Sequence, residues 1–410
     1  MLKTALIVEP DFMRDHVGVR SYIYSLRELV GGRSQVDLVS YYKSASGTRH
    51  WFRLHPRQES IVRDNGKCLD VCFRGTPQEV LSSYWSTRPS APPVTLDDFH
   101  FSHIGSDLAS ERYDLGIITA PWCVTWEERL PCERLTGIVY DLVPNQYSLS
   151  KNNSGIQVFA SRHSIGFQYY RRHCDFVLAI SEDAAHRYDQ MYGRGGIEVV
   201  GLPPLIPAAY FSVKPCGEDR PAAVALAAPF DARKGLADIP AMLNAAADVI
   251  GEVQIYGGLR CSPTELEQFL SSLQLRCVSW TPSASASRVA EIFSSSRALL
   301  FPSHHEGLGL PILEAQFLGC RALVRDRSPM NTLVGPGGCF VGGDLAADAA
   351  SLSRCLTEPF DRQELQGWAV NRFSPEHVAD AIAEAAGLPH LSAAYAGSAT
   401  AAAAPAAVAA

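Results

Sequence analysis

The sequence is short of charge, of long apolar runs and of paired cysteines, and each shortage removes a class of function. Only 19% of its 410 residues are Asp, Glu, Lys or Arg, and the formal net charge is -7. A protein that grips nucleic acid broadly needs a surplus of basic side chains. No nucleic-acid partner is therefore expected, although a local basic site for a small anion stays open. No stretch approaches the roughly 20 apolar residues needed to cross a bilayer. The opening MLKTALIVEPDF meets Glu9 and Asp11 too early for a signal peptide and reads as a buried strand. A cytoplasmic protein is expected, with peripheral association at the inner face of the plasma membrane left open.

The 11 cysteines show no repeated pair spacing. Cys68 and Cys72 have no downstream pair or His cluster to complete a zinc pattern, so a zinc site is the weaker alternative to reduced structural thiols. No metal and no cofactor are expected. A complete GxGxxG does not follow the first strand, which argues against a dinucleotide oxidoreductase. No tandem repeat is visible.

What is present is a globular composition, 47% hydrophobic, in a chain too long for one hydrophobic core. Apolar runs at 2–8, 36–41, 115–119, 136–142 and 176–180 read as strands, with a helix over 20–31 and others between them. Residues 84–96 and 145–155 read as loops. Val199–Pro207, with Gly201 and clustered prolines, reads as the exit from a first domain. A second set follows: strands at 223–228, 252–256, 275–279, 297–301 and 321–324, with helices at 235–247, at 263–273 and after Pro311. Buried strands alternating with helices predict two α/β domains. The expected division is 1–203, 204–372, a terminal helix at 373–391 started by Ser374-Pro375, and an Ala-rich tail at 392–410.

The most informative stretch is Phe301-Pro302-Ser303-His304-His305-Glu306-Gly307-Leu308-Gly309-Leu310-Pro311-Ile312-Leu313-Glu314-Ala315. Glu306 sits in a glycine-rich turn. Pro311 suits the first turn of a helix that carries Glu314. Free amides at such a helix start can bind phosphate oxygens, and carboxylates accept hydrogen bonds from hydroxyls. Taken alone, the same residues make an ordinary turn with a capped helix. Arg233-Lys234 before Gly235 is a second feature: two cations beside a turn can neutralise a diphosphate, although such a pair is usually plain surface.

Together these features resemble glycosyltransferase family 4, within the two-domain retaining glycosyltransferase superfamily. The family pattern runs Pro-Ser, a short spacer, Glu-Gly-Phe-Gly-Leu-Pro, then Glu-Ala and Gly-Cys-Pro. Here it reads PSHHEGLGLPILEAQFLGCRALV, with Leu308 for the aromatic residue and Arg321 for the proline. The likeness continues through Asp326-Arg327-Ser328 to Gly335-Pro336-Gly337-Gly338, and Arg233-Lys234-Gly235 resembles the family's Arg-Lys-Gly segment. Asp231 stands where other residues are common. The resemblance implies two facing Rossmann-like domains of the GT-B type and a retaining, hexosyltransferase-like, metal-independent sugar transfer. The donor would be a nucleoside-diphosphate sugar such as GDP-mannose or a UDP-sugar. The acceptor would be a hydroxyl of a glycan or lipid-linked glycan, in bacterial surface polysaccharide synthesis. It further implies that Glu306 contacts the donor sugar, that Glu314 binds the ribose, and that Gly307, Leu308, Gly309, Leu310 and Pro311 line the donor. Arg233 and Lys234 would stabilise the leaving diphosphate.

On the other side, His16-Val17-Gly18-Val19-Arg20 resembles the family's Gly-Ile-Gly-Arg-Tyr turn, leaving Gly18 as a donor-contact candidate. Val139-Tyr140-Asp141-Leu142-Val143-Pro144 resembles its His-Asp-Leu-Ile-Pro turn. Tyr140 and Asp141 are then acceptor-side candidates, although Asp141 equally suits a local cap and Tyr140 replaces the usual histidine. Ser181 reads as a helix cap with Glu182 beside it. Tyr41, Tyr42, Trp51 and Phe52 suit packing more than an acceptor platform or a membrane-facing edge. A sugar phosphorylase, a nucleotide-sugar hydrolase and a noncatalytic nucleotide-sugar-binding or assembly protein are the competing readings.

Overall fold

The computed structural model describes residues 2–9, 17–32, 34–43, 49–56, 69–87, 99–104, 112–124, 127, 129, 131–148, 154–193, 195, 197–202, 205–206, 210, 213, 222–373 and 375–388. Its strands in chain order are β1 (Lys3–Ile7), β2 (Gln35–Lys43), β3 (Arg49–Pro56), β4 (Phe73–Gly75), β5 (Phe99–Ile104), β6 (Tyr113–Ile118), β7 (Cys132–Val139) and β8 (Phe176–Ala179). There follow β9 (Glu198–Gly201), β10 (Ala223–Ala227), β11 (Glu252–Tyr256), β12 (Val278–Thr281), β13 (Ala298–Phe301), β14 (Arg321–Arg325) and β15 (Cys339–Val341).

These strands form two sheets. The first has eight strands in the order β5-β3-β2-β1-β6-β7-β8-β9, and the second seven in the order β15-β14-β13-β10-β11-β12-β4. Each is parallel at its centre. Among the described residues, antiparallel pairing is confined to β2–β3 and β3–β5 in the first sheet and to β12–β4 in the second. The central strands are covered on both faces, so they read as continuous apolar runs: every residue of Ala223–Ala227 and of Ala298–Phe301 is buried. In both sheets the strand order reverses beside the first strand of the unit, at β1/β6 and at β10/β13. Open α/β sheets bind ligands beyond the carboxyl ends of their strands at such a reversal.

Contacts divide the chain into two units, Met1–Glu59 with Thr95–Leu205 and Ser374–Ala410, and Ser60–Val94 with Ile206–Phe373. This corrects the contiguous first domain of 1–203. β4 leaves the first unit and pairs with the edge strand β12. The excursion is held by an aromatic cluster. Phe73 and Tyr84 pack against Trp280, with the Tyr84 and Trp280 ring centroids 4.5 Å apart. The Asp70 carboxylate accepts from the backbone amide and hydroxyl of Ser285 at 2.8 and 2.9 Å. Covering an edge strand this way removes a row of open backbone groups.

The expected loop at 84–96 is also corrected, because helix Pro77–Thr87 runs to Thr87. Its start is a capping box: the Thr76 amide donates to Glu79 Oε2 at 2.8 Å and the Glu79 amide to Thr76 Oγ1 at 3.3 Å. The expected loop at 145–155 likewise contains the end of helix Val143–Ser148 and the start of helix Ser154–His173. Helix Pro375–Ala386 lies in the first unit, beside helix Val17–Gly31 and β9. Tyr41 and Trp51 face each other across β2 and β3 at 4.9 Å, as a packed pair. Among the described residues, no helix is long and apolar enough to cross a membrane. The Ala-rich tail and Cys68 lie outside the described residues.

Candidate functional site

At the carboxyl end of β10 the chain turns through the 3-10 helix Ala232–Lys234. Asp231 explains its own presence here. Its side chain accepts from the Arg233 amide at 2.9 Å and caps the turn. Gly235 ends it with φ +84°, and a Cβ there would stand 3.0 Å from the Pro302 carbonyl. That close approach brings the neighbouring loop in: the Arg233 carbonyl accepts from the His304 amide at 2.8 Å, with Ser303 Oγ 3.2 Å away. The turns following β10 and β13 are thus laced together at the reversal of strand order.

Glu306 sits at the centre of this lacing. Lys234 Nζ lies 2.5 Å from its Oε1 and Arg233 Nη1 3.1 Å from its Oε2, with only 10% of the Glu306 side chain exposed. The Ser303 hydroxyl donates to Oε1 at 2.7 Å. Arg233 Nη1 also donates to the His305 carbonyl at 2.5 Å, and Lys234 Nζ stands 4.7 Å from the Phe301 ring centroid. Burial pushes the Glu306 carboxyl up, but Lys234, Arg233 and the Ser303 hydroxyl more than offset this and hold it below its usual range. Burial likewise lowers Lys234, against the pull of Glu306. A carboxylate thus lies within ion-pairing distance of two basic side chains in a largely enclosed place.

A second ion-pair group braces the loop. Arg325, at the end of β14, donates from Nη2 to Asp238 Oδ2 at 2.6 Å and from Nε to the Pro302 carbonyl at 3.1 Å. His304 Nε2 lies 3.0 Å from the same Asp238 oxygen. Sequence reasoning missed this group. Nothing in the spacing of Asp238, His304 and Arg325 joins them; only parallel β13 and β14 and the switchback after β10 do.

Beyond Glu306 the chain enters helix Leu310–Phe317 through Gly309, which has φ +107° and so suits glycine. Leu308 is buried. Glu314 lies on the same helix among buried phenols. Burial pushes its carboxyl up to about 7, and a hydrogen bond offered by the Tyr210 hydroxyl opposes this. The hydroxyl of Tyr256 is buried without a hydrogen-bond partner. It is close enough for the Glu314 charge to raise it further after burial has done so. Arg321, standing where the family has proline, is also buried. It donates to the carbonyls of Cys355 and Glu358 at the end of helix Leu345–Thr357 and lies 4.1 Å from the Phe360 ring centroid. Its role is to cap a helix end.

The first-unit candidates are placed differently. Gly18 lies inside the first turns of helix Val17–Gly31 and Arg20 is buried. Asp141 Oδ1 accepts from the Val143 amide at 3.1 Å, as a local turn cap. The Tyr140 hydroxyl is buried without a hydrogen-bond partner, and its ring meets Tyr22 edge-on at 5.6 Å. His163 stacks on Trp122 in an aromatic core. Ser181 caps helix Glu182–Tyr192 by accepting from the Ala184 amide. Among the described residues no group of three His, Cys, Asp or Glu side chains is placed to hold a metal ion.

Comparison with known proteins agrees with where the geometry concentrates. Residues 233–358 match the family Glycosyl transferases group 1. The chain is 29% identical over 161 residues to a D-inositol 3-phosphate glycosyltransferase of Rhodococcus erythropolis, covering 35% of this chain and 36% of that protein. A protein of the same description from Gordonia bronchialis is 29% identical over 127 residues, covering 29% of this chain and 28% of its own length. The chain thus spans about a third of the length of these curated relatives. Two solved structures share the fold across nearly its whole length. The sucrose-phosphate synthase of Thermosynechococcus elongatus has a TM-score of 0.61 at 16% identity, covering 94% of this chain and 98% of that one. The Anabaena protein Alr3699/HepE, solved with UDP and glucose, has a TM-score of 0.59 at 14% identity, covering 94% and 99%. The two sheets are those of the GT-B glycosyltransferase fold.

Proposed function

We propose that the protein is a retaining glycosyltransferase of family 4 that moves a hexose from a nucleoside-diphosphate sugar to a hydroxyl of a glycan or lipid-linked glycan. The observation that carries this reading is the enclosed Arg233–Lys234–Glu306 cluster at the carboxyl ends of β10 and β13, inside the segment that matches the family. Sugar transfer from such a donor expels a diphosphate, and preorganised cations act on the charge that grows on its leaving oxygen. In this reading Arg233 and Lys234 receive that charge. Glu306 orients the sugar, Glu314 binds the ribose, and the amides of Gly309 and Leu310 face the phosphates. Same-face attack through an oxocarbenium-like state, with the leaving phosphate assisting deprotonation of the acceptor, accounts for retention. No cofactor or metal enters. A bacterial surface-polysaccharide setting, GDP-mannose or a UDP-sugar as donor, and association with the inner face of the membrane complete the proposal.

A mass-resolved screen of nucleotide sugars against mixed lipid-linked and soluble glycans tests it. An acceptor gaining one sugar mass with stoichiometric nucleoside diphosphate supports transfer. Free sugar without extension points instead to hydrolysis. A noncatalytic nucleotide-sugar-binding role is favoured by one observation, the local engagement of Asp141 and burial of Tyr140. Saturable donor binding with no product across the acceptor pool would support it.

A further inference from the structure

The cluster that would receive a diphosphate is electrically balanced by the protein itself. Lys234 and Arg233 both pair with Glu306, at 2.5 and 3.1 Å. Asp231 Oδ2 lies 4.0 Å from Arg233 Nη2. Two cations therefore face two carboxylates before any ligand charge is counted. Glu306 is also not free to swing aside without cost, because Ser303 donates to the oxygen that Lys234 holds. A diphosphate presents to the same two side chains what Glu306 already presents: anionic oxygens that accept charge-assisted hydrogen bonds.

We infer that Glu306 is an internal counter-anion that competes with a nucleoside diphosphate for Arg233 and Lys234 and thereby hastens release of that product. The inference rests on the proposed function and adds a second duty to Glu306. The carboxylate that orients the sugar also limits how tightly the site holds the diphosphate once the sugar has gone. Substrate and product differ in how they fare. The sugar offers hydroxyls that hydrogen-bond the carboxylate and offset its repulsion of the phosphates, whereas the bare diphosphate offers none. Product release limits turnover in many enzymes, so a built-in competitor for the product-binding cations is useful.

The test is a calorimetric titration of the full chain with UDP, GDP and inorganic pyrophosphate, in wild type, Glu306→Gln and Ser303→Ala. Thermal unfolding serves as the check on folding. Glu306→Gln keeps the shape and removes the charge. It is expected to bind pyrophosphate and its preferred nucleoside diphosphate roughly tenfold more tightly while transferring sugar more slowly. Ser303→Ala, which loosens the carboxylate without removing its charge, is expected to tighten binding by roughly two- to threefold. Damage to packing weakens binding, so a gain in affinity is not a structural side effect. Unchanged or weaker binding in folded Glu306→Gln overturns the inference. If that variant does not fold, unchanged or weaker binding in Ser303→Ala overturns it. In either case wild-type transfer leaves the functional reading standing. Wild type that binds none of the three anions overturns both.

Discussion

The two units share a topology but differ in what they do at its decisive point. In the second unit, the turns after β10 and β13 carry Arg233, Lys234 and Glu306 into one enclosed cluster. In the first, the candidates Tyr140 and Asp141 follow β7. That strand lies one position away from the reversal at β1/β6, and both residues are engaged in local structure. A shared fold therefore does not make equivalent sites. At that point the second unit gathers two basic side chains around one carboxylate, whereas Tyr140 and Asp141 in the first serve ring packing and a turn cap.

The contrast is broken most strongly at the cations. Arg233→Ala and Lys234→Ala are each expected to lower sugar transfer by about 10²–10³, measured as initial rates at saturating donor. Near-normal rates in both variants would remove the proposed site. The excursion from one unit to the other gives the next effect. Phe73→Ala opens the cluster around Trp280 and Tyr84 and is expected to cost about 3–5 kcal/mol in denaturant unfolding. A loss under about 1 kcal/mol would show that the strand merely rests on the second sheet.

Glu314 sharpens the comparison through pH. Its carboxyl is raised from 4.5 to about 7 by burial, so the folded protein holds a proton there that the unfolded chain releases. That raises no cost below pH 4.5, but stability falls as pH climbs from 4.5 to about 7 and stays lowered above it. Glu314→Gln should gain on wild type across that window, by on the order of 1–3 kcal/mol after allowance for partial exposure. Parallel stability curves for the two proteins from pH 4 to 8 would contradict the shift. The smallest effect belongs to the first unit. Tyr140→Phe removes a buried hydroxyl with no partner. It is expected to raise stability by about 1 kcal/mol and to leave transfer unchanged. A marked fall in transfer would instead give Tyr140 a place on the acceptor side.

Much of this was legible in the chain. Short apolar runs marked β1, β10, β11 and β13 because parallel strands buried on both faces tolerate little else. The block from Phe301 to Ala315 and the Arg-Lys-Gly segment pointed to one site through glycines whose backbone angles are needed locally, as Gly235 and Gly309 show. β3 and β5 went unread, since His50, Arg53, His55, His100 and His103 interrupt any apolar run. The helix at 77–87 was legible in principle from Thr-Pro-Gln-Glu, a capping-box signature, but only its last residues were read, as the start of the Pro/Ser-rich loop at 84–96.

By itself the sequence determined the α/β class, five of the seven strands described in the second sheet (β10 to β14) and the residue types gathered near Glu306, because these follow from local backbone preference and apolar pattern. Tertiary structure alone decided that β4, from the Ser60–Val94 segment, would join the second unit by pairing with β12, that Asp238, His304 and Arg325 would meet, and that Glu306 would pair with both Arg233 and Lys234. Each of those outcomes joins residues far apart in the chain through the packing of strands and turns, and a one-dimensional pattern carries no record of which distant partner wins.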